Sequence, residues 1–302
     1  MNDTQTILLI LGIIALLFLS VSMFVLVFGQ AFTDQTDSIA IVDMKGEIGG
    51  SDDLLGGGRT ITATAMRKQF EALAKDESIK AVIIRINSGG GAVIETKEIS
   101  RALVELKEAK PVVAYISDIG ASGAYYIASH ADFIISDADS LVGSIGVISV
   151  YQSYEELFED KLGINTTIIK SGEFKDIGTP YRDMEADELK RLQSIVDTVH
   201  TEFLNVVLSQ RPNINEDELK IIGTGTVFLG SEAKELGLID ATGSFDEAVN
   251  IAKELANAPD CDLVYYNESG YCEADIYYSL GRGVGDSIAA SADFSDFSIS
   301  FK

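Results

Sequence analysis

Residues 7–29, ILLILGIIALLFLSVSMFVLVFG, run for 23 positions without a charged side chain. At about 1.5 Å per residue such a run crosses about 30 Å of hydrocarbon, so the chain is expected to enter a membrane once, near its start. No basic residue precedes the run, and it exceeds the ~7–15 apolar residues of a secretory signal core, so it is read as a retained anchor. Orientation has little to rest on, because the first Lys or Arg of the whole chain is Lys45, and the positive-inside rule counts basic residues. A short N-terminus inside and the bulk of the chain outside the cytoplasm, as a single-pass protein of the cell membrane, is the orientation expected.

The chain beyond the anchor is acidic. The 302 residues carry 47 Asp and Glu against 23 Lys and Arg, a formal charge of −24, and a chain so charged repels a phosphate backbone. Nucleic acid is therefore not expected as a partner. A hydrophobic content of 46% is too high for a disordered chain and allows a sizeable core. With only Cys261, Cys272, His130 and His200 there is neither a disulfide framework nor a His/Cys cluster at metal-binding spacing, and no metal or cofactor is expected. The two cysteines either close a small extracytoplasmic loop or remain free thiols.

Beyond the anchor, short β-branched runs alternate with amphipathic segments, the pattern of an α/β domain. Strands are expected at 38–44, 81–86, 111–116, 132–136 and 145–150, and helices at 63–74, 92–109, 231–236 and 246–255. Leu189, Leu192, Ile195, Val196, Val199, Phe203, Val206 and Val207 keep helical spacing until the chain nears Pro212, which would end a helix there. No repeat or linker divides this part. The organisation expected is a tail and anchor at 1–33, one catalytic domain at 34–258, and an acidic tail at 259–302 lying over the surface or partly disordered.

Two of the expected strands end in small residues. After AVIIRI comes Asn87-Ser88-Gly89-Gly90-Gly91 and then a helix, a turn whose backbone N–H groups can face an oxyanion. After PVVAYI comes DIGASGAYY, with Ser122 among Gly and Ala at a helix start, where small neighbours let a scissile carbonyl approach a nucleophile. Either turn alone is a tight strand–helix connection or an N-cap. Parallel strands would put both at one sheet edge, so one turn can supply the nucleophile and the other complete an oxyanion hole. A base is then needed. His130 and His200 sit at positions that suit structural roles, while Lys170 and Lys175, both in KSGEFKD, are lysines that desolvation could make basic. The residues alone do not choose between those two.

NSGGG, ASGAYYIAS, LVGSIGVI and IIKSGEFKDIGTPYRDM, in this order, closely resemble the signal peptide peptidase A family of membrane-bound serine proteases, over residues 38–255. The resemblance implies a Clp-protease/crotonase-like fold and peptide hydrolysis by a Ser/Lys dyad. It assigns Ser122 as nucleophile, Lys175 as general base, the Gly91 and Gly123 amides as oxyanion hole, and Ser144 as the residue that orients the lysine amine. It leaves Lys170 as a flanking residue. It also implies a homo-oligomer whose active sites are shared between protomers, with released signal peptides and other short unfolded peptides as substrates. One position departs from the family pattern: Gly89 stands where Pro is usual, which loosens the free turn but removes no donor. For the dyad to work, the carboxylates of Glu173 and Asp176 must face away from Lys175, since a nearby anion keeps an ammonium charged. Alternatives are a stomatin-associated type of protease on the same fold and a non-catalytic crotonase-like protein binding acyl-CoA, the latter poorly served by so acidic a chain.

Overall fold

The structure, a computed structural model, describes Met23 and residues 37–49, 60–267 and 270–272. Apart from Met23, the expected anchor at 7–29 lies outside the described residues, as does the tail beyond residue 272; among the described residues no helix is long and apolar enough to cross a membrane.

A largely parallel sheet organises the domain. Strands β1 (Ser38–Lys45), β4 (Ile79–Ser88), β5 (Val112–Ala121), β6 (Phe133–Ser136) and β9 (Ala241–Thr242) lie side by side in that order, every neighbouring pair parallel. Their sequences read as near-continuous apolar runs because both faces are covered. Successive side chains still alternate. Val82, Ile84 and Ile86 of β4 and Val112, Ala114 and Ile116 of β5 enter the larger core. Ala81, Ile83, Val113 and Tyr115 point to the opposite face, into a second core.

The larger core is roofed by α1 (Ala63–Lys75) and α2 (Val93–Ala109). Thr62 begins α1 by accepting from the Ala65 N–H, and Met66, Phe70 and Leu73 give it one buried face. The second core is roofed by α7 (Phe245–Leu255), whose buried face is Ala248, Val249 and Ala252. Its start is capped by Ser244 and Glu247, which exchange hydrogen bonds with each other's backbone, the sequence signature of a helix N-terminus. These helices, and α4 (Ala186–Gln210), which stops before Pro212, fall where the periodicity puts them. Two short helices, α5 (Glu216–Ile222) and α6 (Gly230–Glu235), come after α4.

Three expectations change. The run at 145–150 is not a strand; the chain pairs just before it, as β7 (Leu141–Gly143), parallel to the end of β5. At Ser144 φ is 50°, which turns the chain out of the sheet, and the far side of β7 is already taken by antiparallel β8 (Val227–Leu229). Second, only Glu188, Phe203 and Val207 of α4 are buried, while Leu189 and Ile195 of its apolar face stay exposed. Third, the start of the acidic tail joins the fold. β10 (Asp262–Asn267) extends the sheet beyond β1, in parallel, and β11 (Gly270–Cys272) pairs antiparallel to it. A parallel partner satisfies the edge of β1, which composition alone did not reveal. A separate two-stranded ladder, β2 (Glu47–Ile48) with β3 (Thr60–Ile61), lies beside the main sheet.

That edge also decides between the two readings of the cysteines. Cys261 is a free, buried thiol in the second core, and burial raises its pKa. Cys272 stands opposite Tyr265, which lies about 13 Å of extended chain beyond Cys261, whereas a disulfide needs its Cα atoms within about 7 Å. Alkylation of the denatured, unreduced protein is therefore expected to label both thiols. A mass showing a closed bridge would mean that the β10–β11 pairing is wrong.

Candidate active site

The glycine turn and the serine turn meet because β4 and β5 are parallel neighbours in a register that pairs Ser88 with Gly120. Each strand leaves the sheet at the same edge. The glycine turn is clamped from outside by Ile48, whose N–H donates to Gly90 O at 2.9 Å and whose carbonyl accepts from Ala92 N–H at 2.7 Å. From inside, the Gly90 N–H donates to Ser88 Oγ at 3.1 Å. Only glycine fits at two places in it. A Cβ on Gly91 would lie 1.9 Å from Ile48 O, and one on Gly90, where φ is +94°, would lie 2.6 Å from Gly123 N and 2.9 Å from Ser122 Cβ. Gly89, the departure from the family pattern, is exposed, with nothing within 4 Å of a Cβ there.

Ser122 is held in a conformation few residues adopt. Its φ is 51° and ψ −123°, in the left-handed half of the map that costs a non-glycine residue about 1–3 kcal/mol. Two bonds hold it there: its N–H donates to Gly143 O at 2.8 Å, and its carbonyl accepts from Tyr126 N–H at 2.9 Å. The short helix it precedes, α3 (Gly123–Ala128), is fully buried. Tyr125 ties that helix down by donating its hydroxyl to Leu238 O at 2.7 Å. Ser144, one residue beyond the carbonyl that holds Ser122, repeats the positive φ and donates its N–H to Thr226 O at 2.9 Å. Gly123 is the first residue of α3, so its N–H has no acceptor within the helix. Gly91 N lies 3.5 Å from the point where a Cβ on Gly123 would sit. The Gly91 and Gly123 backbones thus lie side by side next to the half-buried Ser122.

A groove of about 290 Å³ runs past these groups and is lined by Ser122, Gly91, Gly123 and Ser144 together. Of its remaining walls, Gly89, Tyr126 and residues 146–148 belong to the motifs, and the helical residues Thr96, Lys97, Val199 and Phe203 do not. Thr96 and Lys97 come from α2, Tyr126 from α3, and Val199 and Phe203 from α4. Lys97 is paired with Glu202 at 2.5 Å, and Tyr126 packs edge-on against Phe203 at 5.2 Å. The one signal for them in the sequence is helical spacing, which marks Val199 and Phe203 as apolar without saying what they face.

Lys175 is not in this groove. It is exposed on an arm, residues 146–185, whose one helical element is the turn Leu157–Lys161. The carboxylate of Asp176 is turned away from it, held by Lys170 Nζ at 2.6 Å and Arg182 Nε at 2.9 Å. Arg182 also forks onto both oxygens of Glu188, at 2.5 and 2.8 Å, in the first turn of α4. Arg182 first, then Lys170, holds the Asp176 carboxyl well below the usual carboxylate range, and Arg182 holds that of Glu188 down at about 2. Depressed carboxyl pKa values stabilise the fold fully above the unfolded value near 4, and the contribution is lost as pH falls toward 2. Lys170 is therefore a structural tie, a role that sequence reasoning left open, and of the two carboxylates flanking Lys175 that of Asp176 is engaged elsewhere.

A model of peptidase family S49 matches residues 104–259, more than half of the chain. The MJ0651 protein of Methanocaldococcus jannaschii is 38% identical over 220 residues, covering 72% of this chain and 70% of that one. Protease 4 of Haemophilus influenzae is 34% identical over 73% of this chain and 35% of its own. For the chloroplastic serine protease SPPA of Arabidopsis thaliana the figures are 32%, 83% and 38%, so the chain spans little more than a third of the length of these last two. A solved structure of a mutant of the 1510-N membrane-bound stomatin-specific protease overlaps 76% of this chain and 97% of that one, with a TM-score of 0.47 at 15% identity. The chain belongs to peptidase family S49.

The two neighbouring glycines separate packing from mere looseness. Gly90→Ala is expected to cost at least about 1–3 kcal/mol, through the positive φ and the clash with the Gly123 amide, and to abolish hydrolysis. Gly89→Ala, in open space, is expected to be neutral or stabilising by up to about 1 kcal/mol. Urea denaturation of both variants beside peptide hydrolysis tests this, and equal behaviour of the two would contradict the packing of the turn against Ser122.

Proposed function

We propose that this protein is a membrane-anchored serine endopeptidase of Clp-protease/crotonase-like fold, in which Ser122 attacks the scissile carbonyl of a short unfolded peptide. The observation that carries this reading is the strained Ser122 lining one groove with Gly91 and Gly123. The Ser122 hydroxyl adds to the carbonyl carbon, its proton passes to a neutral lysine amine, and the oxyanion is held by the two amides. The same lysine, now charged, protonates the leaving amine, and water then releases the acyl group from Ser122.

The lysine in this reading is Lys175 of a neighbouring copy, oriented by Ser144. Two features support an assembled site. Within one chain Lys175 is exposed on the arm and does not line the groove. The same arm leaves Ile148, Val150, Ile169 and Phe174 in solvent, and α4 beside it exposes Leu189 and Ile195. Packing of arms between copies would cover these side chains and desolvate the lysine, which favours its neutral form. The apolar run at 7–29 serves as the anchor and sets the domain outside the cytoplasm, where peptides released from the membrane, signal peptide remnants among them, are the substrates.

Sharing has a direct test. Ser122→Ala and Lys175→Ala proteins are each expected to be inactive, and co-assembly of the two is expected to restore a fraction of the activity, because some interfaces then pair an intact Ser122 with an intact Lys175. Mixed assemblies without activity would place both groups in the same chain.

A second measurement addresses the base. Activity through a neutral lysine is expected to rise with pH along a single acid limb and to be poor in acid. An optimum below about pH 6 would point to a carboxylate or histidine base instead.

A further inference from the structure

Helix α4 supplies part of the groove wall, Val199 and Phe203, yet little holds it. Of its 25 residues only Glu188, Phe203 and Val207 are buried. Its first turn is tied to the arm through Glu188 and Arg182, and just past its end Arg211 forks onto Asp240 at 2.8 and 3.0 Å. Among the described residues, one side-chain hydrogen bond joins the stretch between to another element, that from Lys97 Nζ to Glu202 Oε2 at 2.5 Å. Lys97 stands on a helix that is firmly packed: Ile99, Leu103 and Leu106 of α2 are at most 1% exposed. Its side chain is largely covered and lines the groove, while Glu202 is half exposed. Glu202 directly precedes Phe203, whose ring meets Tyr126 edge-on. A firmly held helix therefore grips a loosely held one by a charge pair one residue away from the wall.

We propose that Lys97 is a positioning residue: through Glu202 it holds Val199 and Phe203 against Tyr126, at the spacing that a large apolar side chain of the substrate needs. The proposal rests on the reading of this groove as the peptide site. Val199 and Phe203 stand four residues apart, so they share one face of α4 and move together. Contact between apolar groups is short-ranged, and a gap of about 0.5–1 Å already forfeits a quarter to a half of each attraction. A wall free to move away thus loses its hold on a side chain long enough to touch it, whereas a side chain too short to reach it is indifferent. Lys97 does not serve as a free cation for acidic peptides, because Glu202 already neutralises it. What the pair contributes is geometry, and geometry survives an exchange of the two charges.

The test uses the full-length assembled protein and two quenched-fluorescent hexapeptides, alike except that the residues flanking the scissile bond are leucine in one and alanine in the other. Lys97→Met and Glu202→Gln are each expected to raise KM for the leucine peptide about three- to fivefold, with kcat within about twofold, and to change KM for the alanine peptide less. The doubly exchanged protein, Lys97→Glu with Glu202→Lys, is expected to recover the original KM. An equal rise on both peptides, a fall in kcat at unchanged KM, or an exchanged protein as impaired as the single variants overturns the proposal. Hydrogen exchange of the backbone amides of residues 199–206, measured in the Ser122→Ala protein, reads the wall without chemistry. It is expected to be faster with Lys97→Met and slow again in the exchanged protein, and an unchanged rate overturns the proposal. Faster exchange with both KM values unchanged would leave the positioning role standing and overturn the reading of the groove as the peptide site.

Discussion

The register between β4 and β5 is the constraint on which the site depends. With Ser88 opposite Gly120, the turn after β4 and the turn after β5 leave the sheet at one level, and the Gly90 backbone packs against Ser122 and the Gly123 amide. A slip of one residue would reverse which side chains enter each core. Because Val82, Ile84 and Ile86 fill one core and Ala81 and Ile83 the other, with none of them more than 1% exposed, the cores hold the register and the register sets the distance between the glycine turn and Ser122. The Ile48 clamp completes this by fixing the glycine turn from the side that the sheet does not reach.

The arm obeys a different logic. It has almost no regular structure, and among its described residues its order comes from ion pairs: Lys170 and Arg182 on Asp176, and Arg182 on Glu188. The Asp176 and Glu188 side chains are only 8% and 4% exposed, so these pairs are screened far less than the solvent-exposed pair Lys220–Asp217, of the kind that contributes little. Removing one member would leave its partner as an uncompensated, poorly hydrated charge. Asp176 directly follows Lys175, and the same contacts that order the arm keep that carboxylate from pairing with the neighbouring amine.

How much of this was legible in the sequence depended on whether the information was local. Helices α1, α2, α4 and α7 were readable because each carries its own apolar face and a capping residue or a nearby proline. The serine and glycine turns were readable because small residues directly after an apolar strand have few other uses. β7 was placed too late in the chain, since SIGVISV is as β-branched as a strand and nothing local shows that Ser144 turns the chain away. β10 was missed because its value lies in covering β1, more than two hundred residues earlier.

The costs in this fold are concentrated around the groove. Ser122 and Ser144 each hold a positive φ, at about 1–3 kcal/mol apiece, and the unpaired Thr96 hydroxyl adds about 1–3 kcal/mol. Against this, each fully buried isoleucine contributes about 1.5–3 kcal/mol, and Ile39, Ile41, Ile83, Ile84 and Ile86 alone lie within β1 and β4 at 1% exposure or less. Those five residues together contribute an amount of the same order as the whole local penalty or larger, so a parallel sheet buried on both faces can carry a strained serine without loss of its register. The same comparison explains the division of labour in the chain. Strain is tolerated where the sheet is thickest, at the ends of β5 and β7, whereas the arm, which has no such core behind it, is held by charge pairs and keeps its backbone free of comparable strain at Lys175.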